Sequence, residues 1–230
     1  MPSERRLVSV GSDEPPAIQR PQLGLERDAS GRAGSGDQAF VAVLEEVVEI
    51  LGDVSYGIIG GVASAAYGRP RWTKDIDVFC RAEEADRVLD LFAARGFDVE
   101  RTNPMWIYKA FRGDVQIDVI FKVRWEVYFD NEMAQRVRPI ELDGVEIPVL
   151  APEDIVVMKA MAVDEESPWH WYDALGILAA VDLDWEYLLM RARKSPNRVL
   201  SLLHYAASND VSVSQAALRR LHESVAASWE

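Results

Sequence analysis

The stretch that most restricts this chain is Asp75-Ile76-Asp77-Val78-Phe79-Cys80. Its apolar, β-branched and aromatic residues favour a pleated strand. Side chains alternate along a strand, so Asp75 and Asp77 share one face and Ile76 points to the other. Two neighbouring carboxylates repel each other and are costly unless a positive charge lies between them. A divalent cation meets that need, and Mg²⁺ is suited to one or two carboxylates plus water and substrate phosphates. Taken alone, such a pair is as readily a solvated acidic strand edge, because short Asp-x-Asp strings are common.

Two further features complete a constellation. Gly60-Gly61 ends a short β-type run (55–60) and begins a small-residue helix over 62–67, closed by Gly68. Glycines at such a turn let the backbone approach a phosphate, and the N–H groups of the following helix point at the anion. Asp118 lies in Val115-Gln116-Ile117-Asp118-Val119-Ile120-Phe121, opposite an apolar face made of Val115, Ile117, Val119 and Phe121. A carboxylate in a strand of that kind needs a reason to be there.

Around this core, residues 1–36 hold Ser, Gly, Pro, five Arg and five acids without apolar periodicity, and read as a disordered tail. A helix is expected over 39–51, a strand over 75–80 and a helix over 83–95. Strands are expected over 97–101, 106–112 and 115–121. Asp143-Gly144 marks a hairpin between 137–142 and 145–150. Pro152 opens a helix running to about Val163. Later segments, 169–180, 184–194, 196–208 and 214–227, all read as helices. The expected organisation is a tail (1–36), an α/β domain (37–150) and a helical C-terminal domain (151–230).

Composition narrows the class. The chain has 230 residues, 49% hydrophobic and 27% charged, enough for a sizeable core. It has no apolar run long enough for a membrane helix and no apolar segment after its N-terminal arginines, so a cytoplasmic protein is expected. The lone cysteine, Cys80, excludes an internal disulfide framework, and it reads as a small core residue. The net charge of −13 is a poor match to broad phosphate binding. Most of the seven tryptophans are expected in a core or an interface, with Trp72 beside the presumed site.

The pattern Gly60-Gly61, Ala63, Tyr67-Gly68, Arg71, Thr73, Asp75-x-Asp77 and Asp118 resembles the nucleotidyltransferase superfamily with the polymerase-β-like fold. That implies an α/β (α+β) core with a mixed sheet, followed by a helical module. It also implies transfer of a nucleoside monophosphate from an NTP, such as ATP, to an acceptor hydroxyl. By the resemblance, Asp75, Asp77 and Asp118 are catalytic and bind two Mg²⁺ ions. Gly60, Gly61, Arg71, Thr73, Lys159 and Asp173 would bind the nucleotide, with Asp173 positioning Lys159 or the nucleotide itself. The likeness is strongest to the bacterial branch holding antibiotic nucleotidyltransferases and abortive-infection toxins, where a Pro-Glu-Asp run recurs, here Pro152-Glu153-Asp154. Residue chemistry alone also allows Lys159 to be a lysine reaching water from a buried helix.

The acceptor stays open between a small hydroxyl compound and a tRNA 3′ end. An acidic chain favours a cationic small molecule. A tRNA would need a local patch, for which Arg191, Arg193, Lys194 and Arg198 are available, and a toxin would imply an antitoxin protein as partner. A non-catalytic nucleotide-binding or antitoxin-binding module is the alternative from another class.

Overall fold

The computed structural model describes Leu23, residues 35–68, Pro70 and residues 72–227. The expected tail and Arg71 therefore fall outside the described residues, apart from Leu23 and the first turn of the first helix. Leu23 is buried, and its N–H donates to Asp143 Oδ2 at 2.9 Å.

In chain order the elements are α1 (Ser35–Ile50), β1 (Tyr56–Ile58), α2 (Gly60–Tyr67), β2 (Asp75–Cys80), α3 (Ala85–Ala94), β3 (Asp98–Asn103), β4 (Ile107–Arg112) and β5 (Val115–Ile120). They continue with α4 (Asn131–Arg136), β6 (Arg138–Leu142), β7 (Val145–Val149), α5 (Pro152–Ala162), α6 (Trp169–Ala180), α7 (Trp185–Ala192), α8 (Pro196–Ser208) and α9 (Gln215–Ala227). The strands form one mixed sheet in the order β3-β4-β5-β2-β1-β7-β6. Strand β2 pairs parallel with β5 and antiparallel with β1, and β1 pairs parallel with β7. The expected α/β fold class is the one observed.

Asp143 and Gly144 both have positive φ, 49° and 88°, as a two-residue turn joining β6 to β7 requires. Gly68 has φ −141°, so it does not end α2 through the left-handed region. Its reason is space: a Cβ there would meet the Gly176 backbone carbon of α6 at 2.7 Å. The glycine thus lets the helical part of the chain close onto the α/β part.

Helix α5 is the hub of that contact. It is buried on nearly every side, packing on α2, α6, α7 and α8. One apolar core runs through both parts, from Val47 and Ile58 through Phe79 and Ile117 to Ile155, Ile177 and Leu203. Cys80 lies within it, fully buried, and burial pushes its thiol up to about 12. No helix among the described residues is long and apolar enough to cross a membrane.

Candidate active site

Strand register assembles the site. In the parallel β2/β5 pair, Asp75 lies opposite Gln116 and Asp77 opposite Asp118. In the antiparallel β4/β5 pair, Lys109 lies opposite Asp118. One face of three adjacent strands thus carries three carboxylates, an amide and an ammonium group. One oxygen from each of Asp75, Asp77 and Asp118 lies within 4.8 Å of the other two. Unit charges at such a separation repel by on the order of 3 kcal/mol at an effective dielectric of about 20.

Asp77 registers that crowding. Burial, then the charges of Asp75 and Asp118, push its carboxyl up to about 7, while Lys159 and the Gly61 N–H act in the opposite direction. Its neighbour Gly60 has φ +65°, and a Cβ there would overlap Asp77 Oδ2. A side chain at position 60 is therefore excluded twice, by backbone conformation and by the carboxylate itself.

Each of the other two carboxylates has a positioning partner. Thr73, itself buried, donates its hydroxyl to Asp75 Oδ1 at 2.6 Å. Lys109 Nζ and Gln116 Nε2 both donate to Asp118 Oδ1 at 2.7 Å. Lys109 and Gln116 were not legible as site residues, because only the pairing of β4 with β5 and β5 with β2 brings them there.

Asp75 and Asp77 open into a cavity of about 680 Å³ that is also lined by Gly60 and Gly61, by α5, and by Met105 and Trp106 of the β3–β4 turn. Lys159 of α5 lines it, and its Nζ donates to Asp173 Oδ2 of α6 at 2.6 Å. With its side chain only 7% exposed, Lys159 does not reach out to water, as a solvent-seeking lysine would. It is held beside the acidic face by a buried ion pair. Among the described tryptophans, Trp72, Trp106, Trp125 and Trp169 are exposed rather than core residues, and it is Trp106, not Trp72, that lines the cavity. Trp72 instead lies under the Lys74 ammonium group, 5.1 Å from its ring centre.

The Pro152-Glu153-Asp154 run does a different job. Glu153 Oε1 accepts the Asp184 N–H at 2.7 Å. Asp154 is buried, accepts the Tyr187 hydroxyl at 2.8 Å and faces Arg191 Nε at 2.8 Å. Burial pushes Asp154 up to about 7 against the pull of Arg191. These contacts fasten α5 to α7 and lie outside the main cavity. They also occupy part of the basic patch. Arg191 pairs with Asp154 and Asp130, Lys194 donates to the Glu126 carbonyl, and Arg198 donates to the Val163 carbonyl.

The family model described as a nucleotidyl transferase of unknown function (DUF2204) matches residues 41–218. No curated protein matches the chain. Among solved structures, the antibiotic-resistance factor ANT(2″)-Ia is 20% identical over 81% of this chain and 98% of its own, with a TM-score of 0.47. JHP933 from Helicobacter pylori is 15% identical over 86% and 99%, with a TM-score of 0.46. A protein from Thermotoga maritima assigned as a nucleotidyltransferase is 18% identical over 50% and 78%, with a TM-score of 0.40. These distant likenesses say nothing about what this chain acts on. The family match spans most of the chain and includes the glycine turn, all three aspartates, Lys159 and Asp173: the protein belongs to this nucleotidyl transferase family and is a nucleotidyltransferase.

Proposed function

We propose that the protein transfers a nucleoside monophosphate from an NTP to a hydroxyl group of a small molecule, with Mg²⁺ held by Asp75, Asp77 and Asp118. The observation that carries this reading is the convergence of three mutually repelling carboxylates beside the side-chain-free Gly60 turn, two of them, Asp75 and Asp77, lining a cavity that Lys159 also lines. The donor set suits a hard cation: all oxygen, with carboxylates that gain stability when a positive charge enters. A cation held there would supply positive charge to the phosphates during an in-line displacement.

The chain's own groups then divide the work. Thr73 holds Asp75, the Gly61 N–H holds Asp77, and Lys109 with Gln116 holds Asp118, so the acidic face is set before substrate arrives. Gly60 and Gly61 leave room for the phosphates, and Lys159, oriented by Asp173, supplies a point positive charge to them. Asp118 takes up the proton of the acceptor hydroxyl. The acceptor oxygen bonds to the α-phosphorus, the bond to the β-phosphate oxygen breaks, and pyrophosphate leaves.

A small acceptor is preferred over tRNA because three of the four basic side chains that would grip phosphates are engaged within the chain, whose net charge is −13. The test incubates the protein with Mg²⁺, each α-³²P-labelled NTP in turn, and either a pool of hydroxylated small molecules or bulk tRNA. Asp75→Asn/Asp77→Asn serves as the blank. Label on a small molecule is the expected result. Label on tRNA would replace the acceptor with an RNA end and make a toxin with an antitoxin partner the reading to pursue. No difference from the blank with any NTP would overturn the catalytic assignment.

A further inference from the structure

The cavity wall on the β4–β5 side has a chemistry of its own. Met105 and Trp106, at the turn between β3 and β4, stand over the cavity mouth, and both are exposed, by 67% and 43%. Ile120 and Val123 line the cavity with them, as do Met158 and Met161 of α5. The Phe121 N–H donates to the Trp106 carbonyl at 3.0 Å, which ties the turn to the end of the strand that carries Asp118. Residues 118 and 120 share a strand face, about 7 Å apart along the chain. The indole lines the same cavity as Asp75 and Asp77.

This wall does not express the acidic charge of the whole molecule, since its cations and carboxylates balance. Lys122 and Arg124 line it, and the one carboxylate among its lining residues, Asp164, pairs with Arg124 at 2.7 Å. Lys122 approaches Glu126 at 3.4 Å on the exposed side. The loop that carries these cations is fixed: Val123 and Val127 form a bridge, and Lys194 donates to the Glu126 carbonyl. Trp125 and Glu126 take the left-handed conformation there, with φ of 64° and 54°, an arrangement that costs energy for residues other than glycine. On this wall a polycationic acceptor would meet two cations already paired and no unpaired carboxylate to receive its own charges.

Resting on the reading of the site given above, we infer that the acceptor is a hydroxyl compound with a flat or apolar body and no more than one positive charge, and that Trp106 is its stacking platform. The overall −13 does not govern the choice, because it is not expressed on this wall. Exposed indole faces favour planar rings, and a ring stacked on one is worth about 1–3 kcal/mol. Loss of the indole should therefore weaken acceptor use by about tenfold, 1.4 kcal/mol being a factor of ten.

The experiment offers the Mg²⁺-loaded protein a labelled NTP with two acceptor pools. One holds the polycationic aminosugars tobramycin and kanamycin; the other holds lincomycin, chloramphenicol and adenosine. Label is expected on the second pool only. Trp106→Ala should raise the acceptor KM by about tenfold and leave the NTP KM unchanged, while Trp106→Phe should retain most of the activity. Label on the aminosugars, or on neither pool while NTP binding persists, overturns the acceptor class and leaves nucleotidyl transfer standing. A rise in the NTP KM with Trp106→Ala would assign the indole to the nucleotide and overturn its role here. Loss of metal-dependent NTP binding in the unmodified protein would instead sink the underlying reading of the site.

Discussion

Asp77 and Gly60 crowd each other, and each limits what the other can be. The raised carboxyl of Asp77 has a definite consequence for stability. An unfolded aspartate ionises near 3.9, whereas Asp77 in the fold does so at about 7. The fold thus holds the proton more tightly, and the penalty for ionising grows as pH rises from about 4 and is complete above about 7. Without metal, Asp77→Asn should raise stability at pH 8 by at most about 4 kcal/mol and leave it nearly unchanged at pH 4. Paired thermal melts at the two pH values measure this, and an equal shift at both would contradict it. Asp154 rises in the same direction, so comparison with the variant, and not the parent curve alone, isolates Asp77. Gly60→Ala should cost about 1–2 kcal/mol from the left-handed backbone alone and displace Asp77 as well. Isothermal titration with Mn²⁺ should then show metal affinity falling much further than stability does. Both residues were legible in the sequence because their signal is local: an acid two places from another acid, and a glycine pair at a turn.

Elements supply what local signals could not. Lys109 and Gln116 were missed because their place beside Asp118 depends on which strands pair and in which register, and a strand's neighbours are not written in its own residues. Helix α4 was missed because Asn131–Arg136 is short and buries only Met133, leaving no periodicity to read. Strands β3, β4 and β5 and the hairpin of β6 with β7 emerged within two residues of their expected ends, since alternation and an Asp-Gly turn encode them directly. The Pro-Glu-Asp run was legible as a helix start, and its carboxylates fasten α5 to α7. Arg191→Met should leave Asp154 buried without its cation and cost about 3–5 kcal/mol. Adding Asp154→Asn to that variant should restore part of the loss, because the uncompensated charge is gone. Urea denaturation of the two single variants and the double gives the coupling, and simple additivity would show that the pair does not work as a unit.

At the scale of the whole molecule, a helical module closes over an acidic sheet face through α5, and the substrate cavity lies along that closure. The surface charge was legible from composition, but its distribution was not: the arginines that looked available to RNA serve as internal ties. Transfer to a small acceptor should therefore change little between 50 and 200 mM salt, whereas an enzyme gripping several phosphates of RNA would lose affinity by orders of magnitude. Initial rates across that range decide the matter. If Asp75, Asp77 and Asp118 hold a divalent cation on which nucleotide binding depends, titration of Mn²⁺ with and without NTP, followed by electron paramagnetic resonance, will show it. Mn²⁺ binding should be strengthened by NTP, should increase as pH rises through about 7 as Asp77 loses its proton, and should be abolished by Asp77→Asn. NTP binding of equal strength without metal, or Mn²⁺ binding undiminished in Asp77→Asn, would contradict it.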